Sequence, residues 1–146
     1  MSTVSVVVAI GDSLYEKNCA DFIALWKNKS AEWRGKLGAL RGKRVIEYHK
    51  NYDYIIRANG ITLAGTIEPL PGIPPTSKHI EELERTIAAE KVDFILQDVY
   101  NPDDASRHLS KKYGIRLIKL PHDVGAVREA EGIISLFDEI VRRLTQ

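Results

Sequence analysis

The chain has 146 residues, the size of one domain, and 44% of them are apolar, enough for a single packed core. Its 21 Lys and Arg nearly balance its 20 Asp and Glu, so the composition carries no electrostatic footprint for nucleic acid or an anionic membrane. No apolar run approaches the roughly 18 residues of a membrane span, and one cysteine, Cys19, excludes a disulfide framework and a Cys-rich zinc site.

The amino-terminal stretch Val4–Ile10 is apolar but has no basic leader and no Ala-x-Ala cleavage signal, so it does not read as a secretory signal peptide. The expectation is a cytoplasmic chain, or a fragment whose leader lies elsewhere. Residues 12–40 read as one long helix. Cys19, Phe22, Ile23, Trp26, Ser30, Trp33, Leu37 and Leu40 recur at three- and four-residue steps, one face of a 3.6-residue period. Ser13 and Glu16 have the spacing of a capping box, and Cys19 reads as a buried, inert thiol. Gly35 and Gly38 loosen the end of the helix, and residues 41–44 form a turn.

From there the chain alternates. The pattern predicts a strand over 45–49, a helix over 52–59 closed by Gly60, and a strand over 61–68. The proline-rich segment 69–75 excludes helix and central strand, because its prolines remove amide donors. A helix over 76–90 follows, capped by Thr76 or Ser77, then a strand over 93–97 and a helix over 102–113 stopped by Gly114. A strand over 116–120 and a helix over 129–144 complete the chain. Short connections between alternating strands and helices imply parallel strands joined by right-handed crossovers. The expected fold is α/β: a four-stranded, mostly parallel sheet in the order 2-1-3-4, helices on both faces, preceded by one long linking helix.

In an open parallel sheet, ligands bind beyond the carboxyl ends of the strands. Those ends carry His49, Glu68, Gln97-Asp98 and Pro121-His122-Asp123. Imidazole and carboxylate together suit zinc or manganese. Each residue also has a plainer reading. His49 can bond a backbone carbonyl; His122 and Asp123 can cap the next segment; Glu68 can be a solvated turn residue; Asp98 can open the Asn101-Pro102 turn. His79 and His108 read as solvated helix residues.

The segments Val45-Ile46-Glu47-Tyr48-His49-Lys50-Asn51-Tyr52-Asp53-Tyr54, Glu68-Pro69-Leu70-Pro71-Gly72, Tyr100-Asn101-Pro102 and Leu120-Pro121-His122-Asp123-Val124-Gly125 together resemble the zinc/manganese-binding solute-binding proteins of ABC transporters. Tyr15, Asn18, Phe22 and Trp26 resemble the helix that links the two lobes of those proteins. The resemblance covers the carboxy-terminal lobe only, and divides the chain into a linking segment, 1–40, and an α/β lobe, 41–146. It implies a divalent zinc or manganese ion held between lobes. His49 would be one ligand and either His122 or Asp123 another, with two histidines from an amino-terminal lobe. It further implies a transporter permease as partner, a periplasmic or cell-surface location, and no enzymatic activity. With two ligands rather than four, weak binding completed by water is expected.

Two alternatives come from other classes. Val7-Val8-Ala9-Ile10-Gly11-Asp12-Ser13-Leu14 resembles the strand and nucleophile segment of Gly-Asp-Ser-Leu esterases, but the late Pro121-His122-Asp123 lacks the Asp-x-x-His spacing of their catalytic base. An interaction domain without a working metal site would instead present Phe22, Trp26 and Trp33 as a homo-oligomer surface. No Gly-rich loop follows a strand, so nucleotide binding has no support.

Overall fold

The computed structural model describes residues 3–70 and 72–146, with side chains described from Ser13 onward apart from Pro71. Helix α1 (Thr3–Leu37) runs into a single 3-10 turn, Gly38–Leu40. Four strands and four helices follow: β1 (Arg44–Glu47), α2 (Asp53–Ala58), β2 (Thr62–Thr66), α3 (Ser77–Ala89), β3 (Phe94–Asp98), α4 (Asp104–Tyr113), β4 (Arg116–Leu120) and α5 (Ile133–Thr145). The sheet is parallel throughout, in the order β2-β1-β3-β4.

Burial explains this arrangement. Strands β1 and β3 are buried nearly end to end because both of their faces are covered. Val45, Phe94, Leu96, Ile118 and Leu120 point to one side, into a core built with Trp33 and Leu37 of α1, Ile56 of α2 and Leu136, Ile140 and Leu144 of α5. Ile46 and Ile95 point to the other side, against Leu83 and Ile87 of α3 and Leu109 of α4. Gly65 marks a close approach on that second face. A Cβ there would lie 2.7 Å from Cδ1 of Leu83, so β2 reaches α3 because residue 65 has no side chain.

Local signals set most boundaries. The Thr76 side chain accepts from the amide of His79 at the start of α3. Gly114 ends α4 with φ +66°, a left-handed conformation that favours glycine. Three expectations need correction. Helix α1 begins at Thr3 rather than near Asp12, so Ser13 lies inside the helix and caps nothing. The apolar run before Gly11 propagates as helix, which also removes the strand-to-helix turn that an esterase nucleophile needs. Cys19 is exposed, because it falls where α1 has no neighbour beside it. Helix α5 starts at Ile133, not 129: Gly132 is extended, and the Ser135 hydroxyl accepts from its amide.

Helix α1 therefore has two unlike halves. Its inner half is anchored by aromatics. Trp33 stacks on Phe137 at 5.1 Å between ring centroids, and its indole N–H donates to Asp138 at 2.8 Å. Trp26 meets Phe137 edge-on at 5.3 Å, and Phe22 reaches only Trp26 among the aromatic rings of the described residues. Trp33→Ala is expected to lower stability by about 3–5 kcal/mol, the range for emptying a buried aromatic site. Leu14→Ala, on the exposed half, should change it by less than about 0.5 kcal/mol. Urea denaturation of the two variants beside the parent measures both effects.

Candidate metal-binding edge

A parallel sheet sends every strand out through the same edge, so the segments after β1, β2, β3 and β4 share one side of the molecule. The chain that leaves β1 carries His49, and the chain that leaves β2 carries Glu68. Nδ1 of His49 lies 2.5 Å from a Glu68 carboxylate oxygen, so the ring donates there as its Nδ1–H tautomer. The second Glu68 oxygen accepts the amide of Gly72 at 3.0 Å, which pins Glu68 to its own proline-rich loop. Both side chains are half-buried. His49 is thus held by a carboxylate rather than by the backbone carbonyl that an isolated strand-end histidine would use.

A second group lies beyond β3 and β4. The Tyr100 hydroxyl donates to Asp123 at 2.9 Å, and the Tyr100 ring meets His122 edge-on at 5.2 Å. His122 and Asp123 are exposed. Asp98 is spent on structure: it accepts from the amides of Tyr100 and Asn101 and from the Asn101 side chain. Burial pushes its carboxyl up, but those bonds outweigh burial and hold its pKa below the ordinary value.

The two groups are distinct. Strand β3 separates β1 from β4, so their ends lie roughly 10 Å apart at about 4.8 Å per strand. Among the described residues no three His, Cys, Asp or Glu side chains come together as a ligand cluster. The edge therefore presents a partial donor set. The other two histidines lie apart from both groups: Nε2 of His79 lies 2.8 Å from the Thr66 carbonyl, and His108 lies 3.5 Å from Glu84 on the α3–α4 side. His79 is half-buried rather than solvated, because α3 starts directly over the end of β2.

One acidic residue at this edge escaped the sequence reading. Glu47 closes β1 and is fully buried; one oxygen accepts the Tyr52 amide at 2.9 Å, and among the described residues the other has no partner. Burial raises its pKa to about 7. Tyr52, whose hydroxyl donates to the Leu120 carbonyl at 2.9 Å, closes the same pocket and ties the turn after β1 to the end of β4. The signal was a lone acid in the strand sequence Val45-Ile46-Glu47-Tyr48, which reads as solvent-facing until both sides of β1 are seen to be covered.

A four-stranded parallel α/β sheet with histidine and carboxylate beyond its strand ends, preceded by a long helix, points to a solute-binding protein of a transport system. The family model described as zinc-uptake complex component A, periplasmic, matches residues 9–146, and the chain belongs to that family. The family is that of a transport component, which sets aside the esterase alternative. The high-affinity zinc uptake system protein ZnuA of Haemophilus ducreyi is 28% identical over 104 residues, 71% of this chain and 34% of that protein. A crystal structure of ZnuA superposes with a TM-score of 0.76 at 16% identity, over 97% of this chain and 52% of that one. The manganese complex of the solute-binding protein FpvC from Pseudomonas aeruginosa gives 0.68 at 19% identity, over 98% and 55%. At such identities the likeness shows the fold. The chain spans about a third of the curated relative and about half of these solved chains.

The Glu47 carboxyl gives a pH test. Its folded pKa, about 7, lies above its ordinary value of 4.5, so between those values the folded chain holds the extra proton and stability falls as pH rises. Glu47→Gln has no such proton to lose. Its stability relative to the parent should improve by about 1–3 kcal/mol between pH 5 and pH 8, read from denaturation at each pH.

Proposed function

We propose that this chain is the metal-binding carboxy-terminal lobe of an ABC-type uptake system for a divalent cation, zinc or manganese. In this reading residues 1–40 form the linking segment and 41–146 the lobe. His49 supplies one ligand and either His122 or Asp123 another. The observation that carries the reading is the His49–Glu68 contact. A ligating histidine characteristically donates its other ring N–H to a carboxylate, which fixes the tautomer and makes the free nitrogen a better donor. Glu68 holds the Nδ1 proton of His49 in that way, which leaves Nε2 with the lone pair that a cation needs.

The names of similar proteins support the cargo. They include a zinc uptake protein, a manganese complex and a cadmium-bound periplasmic metal-binding protein from Candidatus Liberibacter asiaticus. Imidazole and carboxylate accept each of these ions. The cation is the transported substrate, and the natural partner is a transporter permease, at the periplasmic or cell-surface side of a membrane. With two ligands from this chain, water or a neighbouring molecule completes the coordination, so binding is weak. The linking helix is a self-association surface in the same reading, since its outer half exposes large apolar side chains.

Calorimetric titration tests the ligand assignment. Zinc should bind the parent chain and His108→Ala alike, and His49→Ala should lose binding. Glu68→Gln should weaken zinc binding by roughly 10- to 100-fold, the usual effect of removing an orienting carboxylate. Affinity should fall as the pH is lowered, because a protonated imidazole cannot ligate a cation. Equal zinc binding by His49→Ala and the parent would overturn the assignment.

A further inference from the structure

We propose that Tyr52 is a positioning residue for the bound cation: its hydroxyl sets the spacing between His49 and the pair His122 and Asp123, so that both groups act on one ion. The proposal rests on the ligand assignment above and adds the device that makes one site of two separate groups.

The need for such a device follows from the sheet. His49 leaves β1, and Pro121-His122-Asp123 leaves β4, with β3 between them. Two strand spacings, roughly 10 Å, therefore separate the strand ends. The exit of β1 is held on both of its own sides. The Glu68 amide donates to the Tyr48 carbonyl at 2.9 Å, and the Tyr48 amide donates to the Leu96 carbonyl at 2.7 Å. Strand β4 meets β1 nowhere in the sheet. Among the described residues, one hydrogen bond joins residues 48–59 to residues 116–128. It runs from the Tyr52 hydroxyl to the Leu120 carbonyl, at 2.9 Å.

Both ends of that bond are fixed. Three residues after His49, the Tyr52 amide donates at 2.9 Å to the buried carboxylate of Glu47, which closes the turn onto the end of β1. The Asn51 amide donates to the His49 carbonyl at 2.7 Å and tightens the same turn. Leu120 and Pro121 are fully buried, so the Leu120 carbonyl is an anchored point at the root of the segment that carries His122 and Asp123. Tyr52 is itself only 3% exposed. Burial pushes its phenol far above the ordinary range, and the hydroxyl stays a neutral donor.

The ring and the hydroxyl have separable roles. The ring joins the core with Ile56, Leu120 and Leu136, and a phenylalanine would do the same. The hydroxyl adds nothing to that apolar packing, and once buried it has to find an acceptor. The acceptor it has is the carbonyl that roots the second ligand group. A binding constellation works only when its members are held within about 0.5 Å of the productive geometry. A second ligand held at the right distance then contributes through its high effective concentration, with no new contact. Without the hydroxyl, the β1 turn and the β4 end share only apolar packing, which is non-directional.

Calorimetric zinc titration of the full chain is the first measurement. Tyr52→Phe should keep the parent's circular dichroism and weaken zinc binding by about tenfold or more, the usual effect of losing an orienting contact. The paired change His122→Ala with Asp123→Ala separates positioning from mere stability. In the parent it should weaken zinc binding by about tenfold or more, and in Tyr52→Phe by less than about threefold, because the second group is no longer engaged. A tyrosine that only stabilises the fold gives the same loss in both backgrounds. NMR of the labelled parent needs no variant and decides the point even where Tyr52→Phe fails to fold: zinc should shift His49 and residues 122–123 together, with one end point. Tyr52→Phe that binds zinc like the parent overturns this inference alone. So does an equal loss in both backgrounds, or parent shifts at residues 49 and 122–123 that saturate at different zinc ratios. Zinc binding that survives His49→Ala overturns the ligand assignment and this inference with it.

Discussion

The structure depends on one constraint: strands β1 and β3 are buried on both faces. A strand such as Val45-Ile46-Glu47, apolar to either side, must have helices above and below it, and helices placed by crossovers make the sheet parallel. A parallel sheet in turn discharges all its strands at one edge. The helices bury whatever apolar side chains the strands offer, and the polar residues that terminate those strands are collected on a single rim. His49 and Glu68, and separately Tyr100, His122 and Asp123, share one rim because of a packing requirement far from any of them.

That rim is held with unequal stiffness. On the β1–β2 side, His49, Glu68 and the Gly72 amide form a chain of bonds that is half-buried at His49 and Glu68 and opens to water at Gly72, and Tyr52 ties the next turn to the end of β4. On the β3–β4 side, Asp98 closes a tight turn that presents Tyr100, whose hydroxyl in turn fixes Asp123 at the surface. A cation approaching this edge meets one preorganised imidazole and one exposed carboxylate–imidazole pair. Glu47 beneath it is the costly element: a buried carboxyl beside the proposed ligand, with one oxygen that has no partner among the described residues, and burial raises its pKa to about 7.

Much of this was legible in the sequence, because period and punctuation agreed. The parallel sheet, the helices on both faces and the stop at Gly114 follow from the alternation of elements, apolar periodicity and turn residues. The misplacements have physical causes. Ser13-Leu14-Tyr15-Glu16 has the letters of a capping box, but a cap exists only if the preceding chain leaves the helix, and Val4–Ile10 does not. Cys19 lies on an apolar face, but at that position nothing among the described residues covers it, and periodicity reports a face without saying what covers it. The roles of Glu68 and Glu47 were hidden for a similar reason. Which of several strand-end carboxylates reaches a histidine depends on the register of β1 against β2, and local sequence does not encode it.

The central claim is that the carboxyl edge of the sheet receives a divalent ion through His49. The chain has four histidines, and nitrogen-detected or long-range nitrogen–proton NMR resolves the ring nitrogens of each. Titrating zinc into labelled chain should shift the Nε2 resonance of His49 and leave its Nδ1 as a bonded N–H. His122 should respond if it, rather than Asp123, is the second ligand, and the rings of His79 and His108 should stay where they were. A zinc-dependent shift confined to His79 or His108, or a His49 ring that ignores zinc, would contradict the account.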